Sequence, residues 1–344
     1  MHALVIHAPH DLRIEEVPTP SLEAGQLRIR VRAGGICGSD LHYFHNGGFG
    51  TVRIQEPMVL GHEVSGVVAE LGTGVDDIEL GTRVAISPSR PCGLCNYCQQ
   101  GLQNHCIDMR YYGSAMRNPH VQGAFRQEIV IDRTQAYTVS DRLSDGEAAM
   151  AEPLSVALHA VRRAGSLLGK RVLVTGCGPI GALVVAAARR AGAASIAVTD
   201  VNTLPLETAL RVGADHAFNI AETPAALAPF TANKGSFDVL FEASGNQQAL
   251  RSALDAIRPR GIIVQIGLGG EMTLPINTFV AKEFDLRGAF RFHEEFAIAV
   301  ELLNQGLIDV KPVISGIYGY RDSVQAFEAA TDRSKAMKVL ISFD

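Results

Sequence analysis

No stretch of this 344-residue chain stays apolar for the roughly 18 residues that a membrane span needs. Glycine, proline or a charge interrupts every long candidate, so no membrane partner is expected. A basic cluster is also missing. The 31 basic and 36 acidic residues leave a formal charge of −5, which argues against nucleic acid or an anionic lipid surface as the main partner. The opening Met1-His-Ala-Leu-Val-Ile has no charged segment followed by a long apolar run and a small-residue cleavage site. A secretion signal is therefore not expected, and the cytoplasm is the expected compartment. There is no low-complexity run and no internal repeat. Cysteine is scarce, with six residues in all, which does not point to a disulfide scaffold without a secretion signal. What is present is a globular composition, 47% hydrophobic and 19% charged. The length exceeds one ordinary core, so two domains are expected.

The two domains differ in texture. Residues 4–6, 12–17, 27–32, 64–71 and 83–86 read as short, near-alternating strands punctuated by Pro18, Pro20 and Gly25, a pattern typical of a barrel-like all-β domain. Residues 37–63 read as a glycine-rich loop between two of these strands. From 148 the pattern changes to a helix (148–164), a continuous apolar strand (171–175), a helix (180–191) and a further strand (195–199). Strands at 239–241, 262–266 and 285–288 follow, with helical patterns at 204–212 and 247–257 between them. Such alternation predicts βαβ units and a parallel sheet. The tail reads as a helix at 294–304, an apolar segment at 313–318, a helix at 325–331 and a last strand at 337–342 that could pair back into the first domain.

Three motifs carry chemistry. Cys92, Cys95, Cys98 and Cys106 stand at a spacing that fits a closed tetrahedral zinc site, a staple for a polar lobe over 91–109 with little core of its own. Two disulfides or free thiols are the alternative, which a reducing compartment disfavours. Gly176-Cys-Gly178-Pro179-Ile180-Gly181 follows an apolar strand and opens a helix, the context a dinucleotide fingerprint requires. The helix N-terminus would take the pyrophosphate. Asp200 ends the next strand, where a ribose hydroxyl would sit, and favours NAD over NADP. Asn202 and Thr203 are small enough that NADP stays possible. Ser244 and Gly267 complete the candidate cofactor set.

The third motif is Cys37-Gly-Ser39-Asp40-Leu-His42-Tyr43 with Gly61-His62-Glu63. Cys37 and His62 are the expected ligands of a second, catalytic zinc. The third ligand is a carboxylate, Glu63 or Glu152, the latter in Ala-Glu152-Pro-Leu. Three protein ligands leave a coordination position for substrate. A zinc-bound alcohol loses its proton easily and its carbon then gives a hydride to the nicotinamide. Ser39 would take the proton and His42 would pass it to solvent. A non-catalytic dinucleotide sensor is the rival from another class, expected to lack some of these residues.

Together these motifs resemble the zinc-containing medium-chain dehydrogenase/reductase family over essentially the whole chain. The resemblance implies a barrel-like (GroES-like) catalytic domain over 1–153 and 291–344, interrupted by a Rossmann domain over 154–290. It also implies a homo-oligomer, a tetramer before a dimer. The segments around Tyr43 and Glu152 resemble the polyol branch, which includes sorbitol dehydrogenase. Phe290-Arg291-Phe292 is similar to a segment of that branch whose arginine faces the substrate. Residues 108–120 are similar to the bacterial sugar-acid dehydrogenases of the branch. That similarity implies reversible oxidation of L-idonate at C5 to 5-keto-D-gluconate, with Tyr43, Tyr112, Ser114 and Arg291 as substrate-binding candidates. Arg110, Arg117 and His120 are further cationic candidates for a substrate carboxylate. Sorbitol or xylitol, as neutral polyols, are the alternative substrates, and a threonine-type amino acid is a more distant one.

Overall fold

The structure is a computed structural model, and it describes residues 1–343. Its first domain is built on the strand Gln26–Gly35, whose Leu27, Ile29 and Val31 are fully buried at alternate positions, as a half-buried strand requires. One edge pairs antiparallel with Glu63–Leu71. The other edge pairs with Glu128–Asp132 at one end and with Lys338–Ser342 at the other. The last strand therefore does return to the first domain, as its pattern predicts, and brings the parallel strand Ile314–Gly319 with it. The sheet has seven strands, completed by Arg83–Ile86 and Ala136–Thr138.

The second domain is a six-stranded, all-parallel sheet. Its order is His216–Asn219, Ser195–Asp200, Arg171–Thr175, Phe237–Glu242, Ile257–Gln265, Asp285–Gly288. The central strands are buried on both faces and read as unbroken apolar runs for that reason. The chain direction of the sheet order reverses between Arg171–Thr175 and Phe237–Glu242, which opens a crevice at their carboxyl ends.

Several local readings change. Residues 38–46 are a helix, Gly38–Asn46, and not a loop. Cys37 is its N-cap and the backbone N–H of Cys37 donates to Asp40 Oδ2 at 2.9 Å. This is half of a capping box in which the usual serine is replaced by a thiol. Gly47 ends the helix in the left-handed region, at φ 68°. The helix read over 148–164 is two, Asp145–Ala149 and Ala151–Ala164, the first capped by Ser144. The strand His216–Asn219 and the helix Ile276–Lys282 carry too little periodic signal to be read from sequence. The helix Glu295–Asn304 packs in one core with Ala151–Ala164 and the parallel sheet, so the chain rejoins the first domain's sheet only at residue 314.

Candidate metal and nucleotide site

Two groups of metal-binding side chains form. Cys92, Cys95, Cys98 and Cys106 have all four sulfurs within 4.8 Å of one another, and so do the donor atoms of Cys37, His62 and Glu63. In the four-cysteine lobe the thiols are unpaired with one another by disulfides. Backbone N–H groups point at the sulfurs, from Cys92 and Asp108 to Cys106 Sγ and from Cys95 to Cys92 Sγ, at 3.2–3.3 Å. The N–H groups of Cys98 and Ile107 lower the Cys95 thiol to about 6. A thiolate with such donors is a ready metal ligand.

The second group is assembled from distant parts of the chain. Cys37 caps its helix, His62 precedes the strand Glu63–Leu71, and Glu63 begins it. His62 and Glu63 are buried. Burial opposes a charge on His62, but the negative charges of Asp40, Cys37 and Glu152 outweigh it and push its pKa up to about 10. Its Nδ1 is buried without a hydrogen bond among the described residues, 3.7 Å from Asp40 Oδ1. A donor set of sulfur, nitrogen and carboxylate oxygen that attracts a proton so strongly suits a divalent cation, and zinc accepts all three donor types. Asp40, fully buried and also accepting the Gly61 N–H at 3.2 Å, is the carboxylate that faces this imidazole nitrogen.

The two candidate carboxylates have different holders. Glu63 accepts Lys338 Nζ on both oxygens at 2.7 Å, and Lys338 is itself buried and donates to the Ile36 carbonyl at 3.0 Å. Gly35, the cross-strand neighbour of Glu63, leaves room for this: a Cβ there would stand 2.1 Å from Glu63 Oε2. Glu152 stands outside the 4.8 Å group. Its carboxyl is pushed up to about 7 by burial, against the pull of His62, and it accepts the hydroxyl of Tyr111.

Ser39 and His42 lie three residues apart on one helix, Ser39 half-buried and His42 exposed, so they share one face of it. Tyr43 is buried, and its hydroxyl accepts the Ala115 N–H at 2.9 Å. Ser114 adjoins it. Tyr112 is a correction. Its hydroxyl donates to Gln135 at 3.0 Å in the core of the first domain. Tyr111 faces the cluster instead, with its ring 5.6 Å from that of His62. Tyr111 ends the strand Arg110–Tyr111 and Tyr112 begins the turn after it, so two adjacent tyrosines go to different places, one to the site and one to the core.

Among the cationic candidates, Arg117 is taken up by Asp108. Both ring nitrogens of His120 have backbone partners, Gln55 N and Arg117 O. Arg110 is exposed on the far side of its strand. Arg291 is different. Its guanidinium lies 4.3 Å from the centre of the Tyr111 ring and 4.9 Å from that of Phe290. Burial weakens its charge, while Tyr111, Glu152 and Tyr43 favour it. It makes no ion pair among the described residues.

At the crevice of the parallel sheet, Gly176 takes φ 80° and Gly178 caps the helix Pro179–Arg190, with Pro179 in its first turn and Ile180 next. Gly181 must lack a side chain, because a Cβ would stand 1.9 Å from the Gly176 carbonyl. Asp200 accepts the Cys177 N–H at 2.7 Å and those of Val201 and Asn202 at 2.7 and 3.0 Å, so the carboxylate is tied to the turn. Ser244 and Gly267 face the same crevice, and Gly267 packs on Gly245. Sequence reasoning missed Glu242, whose buried carboxylate accepts the N–H groups of Ser244 and Gly245 at 2.9 and 3.0 Å and also takes the Ser244 hydroxyl and the Gln265 amide.

Fold and donor sets define a two-domain zinc dehydrogenase, and the chain belongs to that family. The alcohol dehydrogenase GroES-like domain matches residues 23–141 and the zinc-binding dehydrogenase domain matches residues 179–305. Among individual relatives, the chain is 42% identical to L-idonate 5-dehydrogenase (NAD(P)(+)) of Escherichia coli K12, covering 92% of this chain and 91% of that one. It is 37% identical to sorbitol dehydrogenase of Bacillus subtilis 168, over 99% and 97% of the two chains. The crystal structure of the Escherichia coli L-idonate 5-dehydrogenase superposes with a TM-score of 0.95 at 40% identity, covering 99% and 98%. No helix among the described residues is long and apolar enough to cross a membrane.

Proposed function

We propose that this enzyme interconverts L-idonate and 5-keto-D-gluconate with NAD(P), NAD preferred because Asp200 stands where a 2′-phosphate would meet a carboxylate. Cys37, His62 and one carboxylate, Glu63 or Glu152, would hold the catalytic zinc, and the four cysteines would hold the structural one. When bound, zinc lowers the pKa of the substrate hydroxyl and the nicotinamide accepts a hydride. The hydroxyl proton leaves to Ser39 and on to His42 and solvent. The C5–H bond breaks with its electron pair leaving as hydride, and the C5–O bond becomes a carbonyl. Tyr43 and Ser114 border the substrate, and the loop from Ser244, braced by Glu242, borders the nicotinamide. The catalytic domain covers 1–153 and 291–344 around a cofactor domain at 154–290. Subunits associate as a homo-oligomer, a tetramer, in the cytoplasm. The edge strand Asp285–Gly288, with Leu286 exposed, offers a face for association.

The observation that carries the sugar-acid reading is Arg291, a guanidinium with no ion-pair partner among the described residues, seated on the Tyr111 ring beside Glu152 and donating only to Met116 Sδ. A carboxylate is its natural partner. An assay of L-idonate, 5-keto-D-gluconate, sorbitol, xylitol and L-threonine with NAD and NADP tests it. The expected result is a kcat/KM for L-idonate at least about tenfold above that for either polyol, the worth of one charge-assisted contact. Equal turnover of sorbitol, the substrate in the name of the Bacillus subtilis relative, would leave Arg291 without that role and favour the neutral polyols.

A further inference from the structure

We infer that Tyr111 is a positioning residue that couples the metal-binding carboxylate Glu152 to the substrate-facing cation Arg291. Its two ends make two different contacts. The hydroxyl donates to Glu152 Oε1, and the ring face carries the Arg291 guanidinium at 4.3 Å. The side chain is buried, and its ring lies 5.6 Å from that of His62. One rigid residue with two rotatable bonds thus reaches the carboxylate, the imidazole and the cation together.

The hydroxyl occupies one oxygen of Glu152 and holds the carboxylate at the margin of the donor set formed by Cys37, His62 and Glu63. Glu63, in contrast, is clamped on both oxygens by Lys338. Which carboxylate completes the zinc ligands then depends on how firmly Tyr111 retains Glu152. The ring does a separate job. A guanidinium stacked on an aromatic face keeps its edge donors available; one Nη donates to Met116 Sδ at 3.1 Å and none meets a carboxylate, so Arg291 is aimed without an ion-pair partner among the described residues. Arg291 also takes a left-handed backbone, φ 55°, uncommon for a residue with a side chain. Asn104 Nδ2 of the four-cysteine lobe holds the preceding Phe290 carbonyl at 3.0 Å. Arg291 is therefore fixed from both sides, by the lobe through its backbone and by Tyr111 through its head group.

The aiming of Arg291 rests on the sugar-acid reading above, whereas the hold on Glu152 does not. Two variants separate the jobs. Tyr111→Phe keeps the ring and removes the hydroxyl. Tyr111→Leu removes both. Each is prepared as the zinc enzyme and, with cobalt in the catalytic site, for visible absorption. Tyr111→Phe should shift the cobalt d–d bands and lower kcat about tenfold, with the KM for L-idonate within about twofold of the parent. Tyr111→Leu should in addition raise the KM for L-idonate about fivefold to tenfold, leaving that for sorbitol unchanged. Unaltered cobalt bands and kcat in Tyr111→Phe would overturn the hold on Glu152. An L-idonate KM in Tyr111→Leu equal to that of Tyr111→Phe would overturn the seating of Arg291. A parent enzyme with no preference for L-idonate would sink the sugar-acid reading and the seating together, and the cobalt spectrum would still decide the Glu152 contact.

Discussion

The two metal-binding clusters are built on opposite plans. The four-cysteine lobe draws every metal-binding side chain from a span of fifteen residues, Cys92 to Cys106, and satisfies its sulfurs with N–H groups of that span and of the two residues after it. The Cys37 cluster gathers donors from a helix cap and a strand start, and relies for charge balance on residues far away. Lys338 lies 275 positions from Glu63, and Tyr111 is 41 from Glu152. The first plan makes a closed staple that leaves no position for substrate. The second leaves its two carboxylates held by side chains from elsewhere in the fold, Glu63 by Lys338 and Glu152 by Tyr111. The lobe is nevertheless not isolated: Asn104 and His105 grip Phe290, next to Arg291.

The sharpest test of the contrast is loss of one ligand in each cluster. Cys37→Ser should lower kcat by about four orders of magnitude, the loss of roughly 5 kcal/mol of electrostatic stabilisation of the reacting oxygen. It should remove one zinc per chain and leave thermal stability nearly intact. Cys98→Ser should remove the other zinc and make the segment 91–109 sensitive to protease, its activity falling far less. Matching effects of the two variants on kcat would erase the distinction. Next in size is Lys338→Met. It leaves Glu63 buried beside a missing partner, which costs about 3 kcal/mol of folding stability by denaturant titration. A variant as stable as the parent would mean that Lys338 does not balance the cluster. Smallest is Asn104→Ala, which removes the bond to the Phe290 carbonyl and should cost about 1 kcal/mol of stability. It should raise the KM for L-idonate more than that for sorbitol. An equal change in both would confine the lobe's grip to structure.

The cysteine spacing and the glycine turn could be read directly because each is local: the physics that joins their members acts within one loop. The same is true of the alternation that announces the parallel sheet. The errors fall where distance or register decides. The helix Gly38–Asn46 was hidden by its glycine-rich start and by a cap made from a thiol and Asp40. Tyr112 is read in place of Tyr111, since two adjacent tyrosines look alike in sequence although one ends a strand and the other begins the turn after it. Lys338 offered no signal at all, as one charged residue in an otherwise apolar final strand.

What the sequence determined by itself is the inventory: which donors exist, which turn can cradle a dinucleotide, and the two kinds of sheet. Short-range spacing and periodicity specify those. What only the tertiary structure decided is how the inventory is shared out. Strand pairing brings Lys338 to Glu63, and the ribbon after the lobe turns Tyr111 toward Glu152 and Arg291. Buried charges are stable only when met by partners, and those partners are found by the fold, at separations no local pattern records.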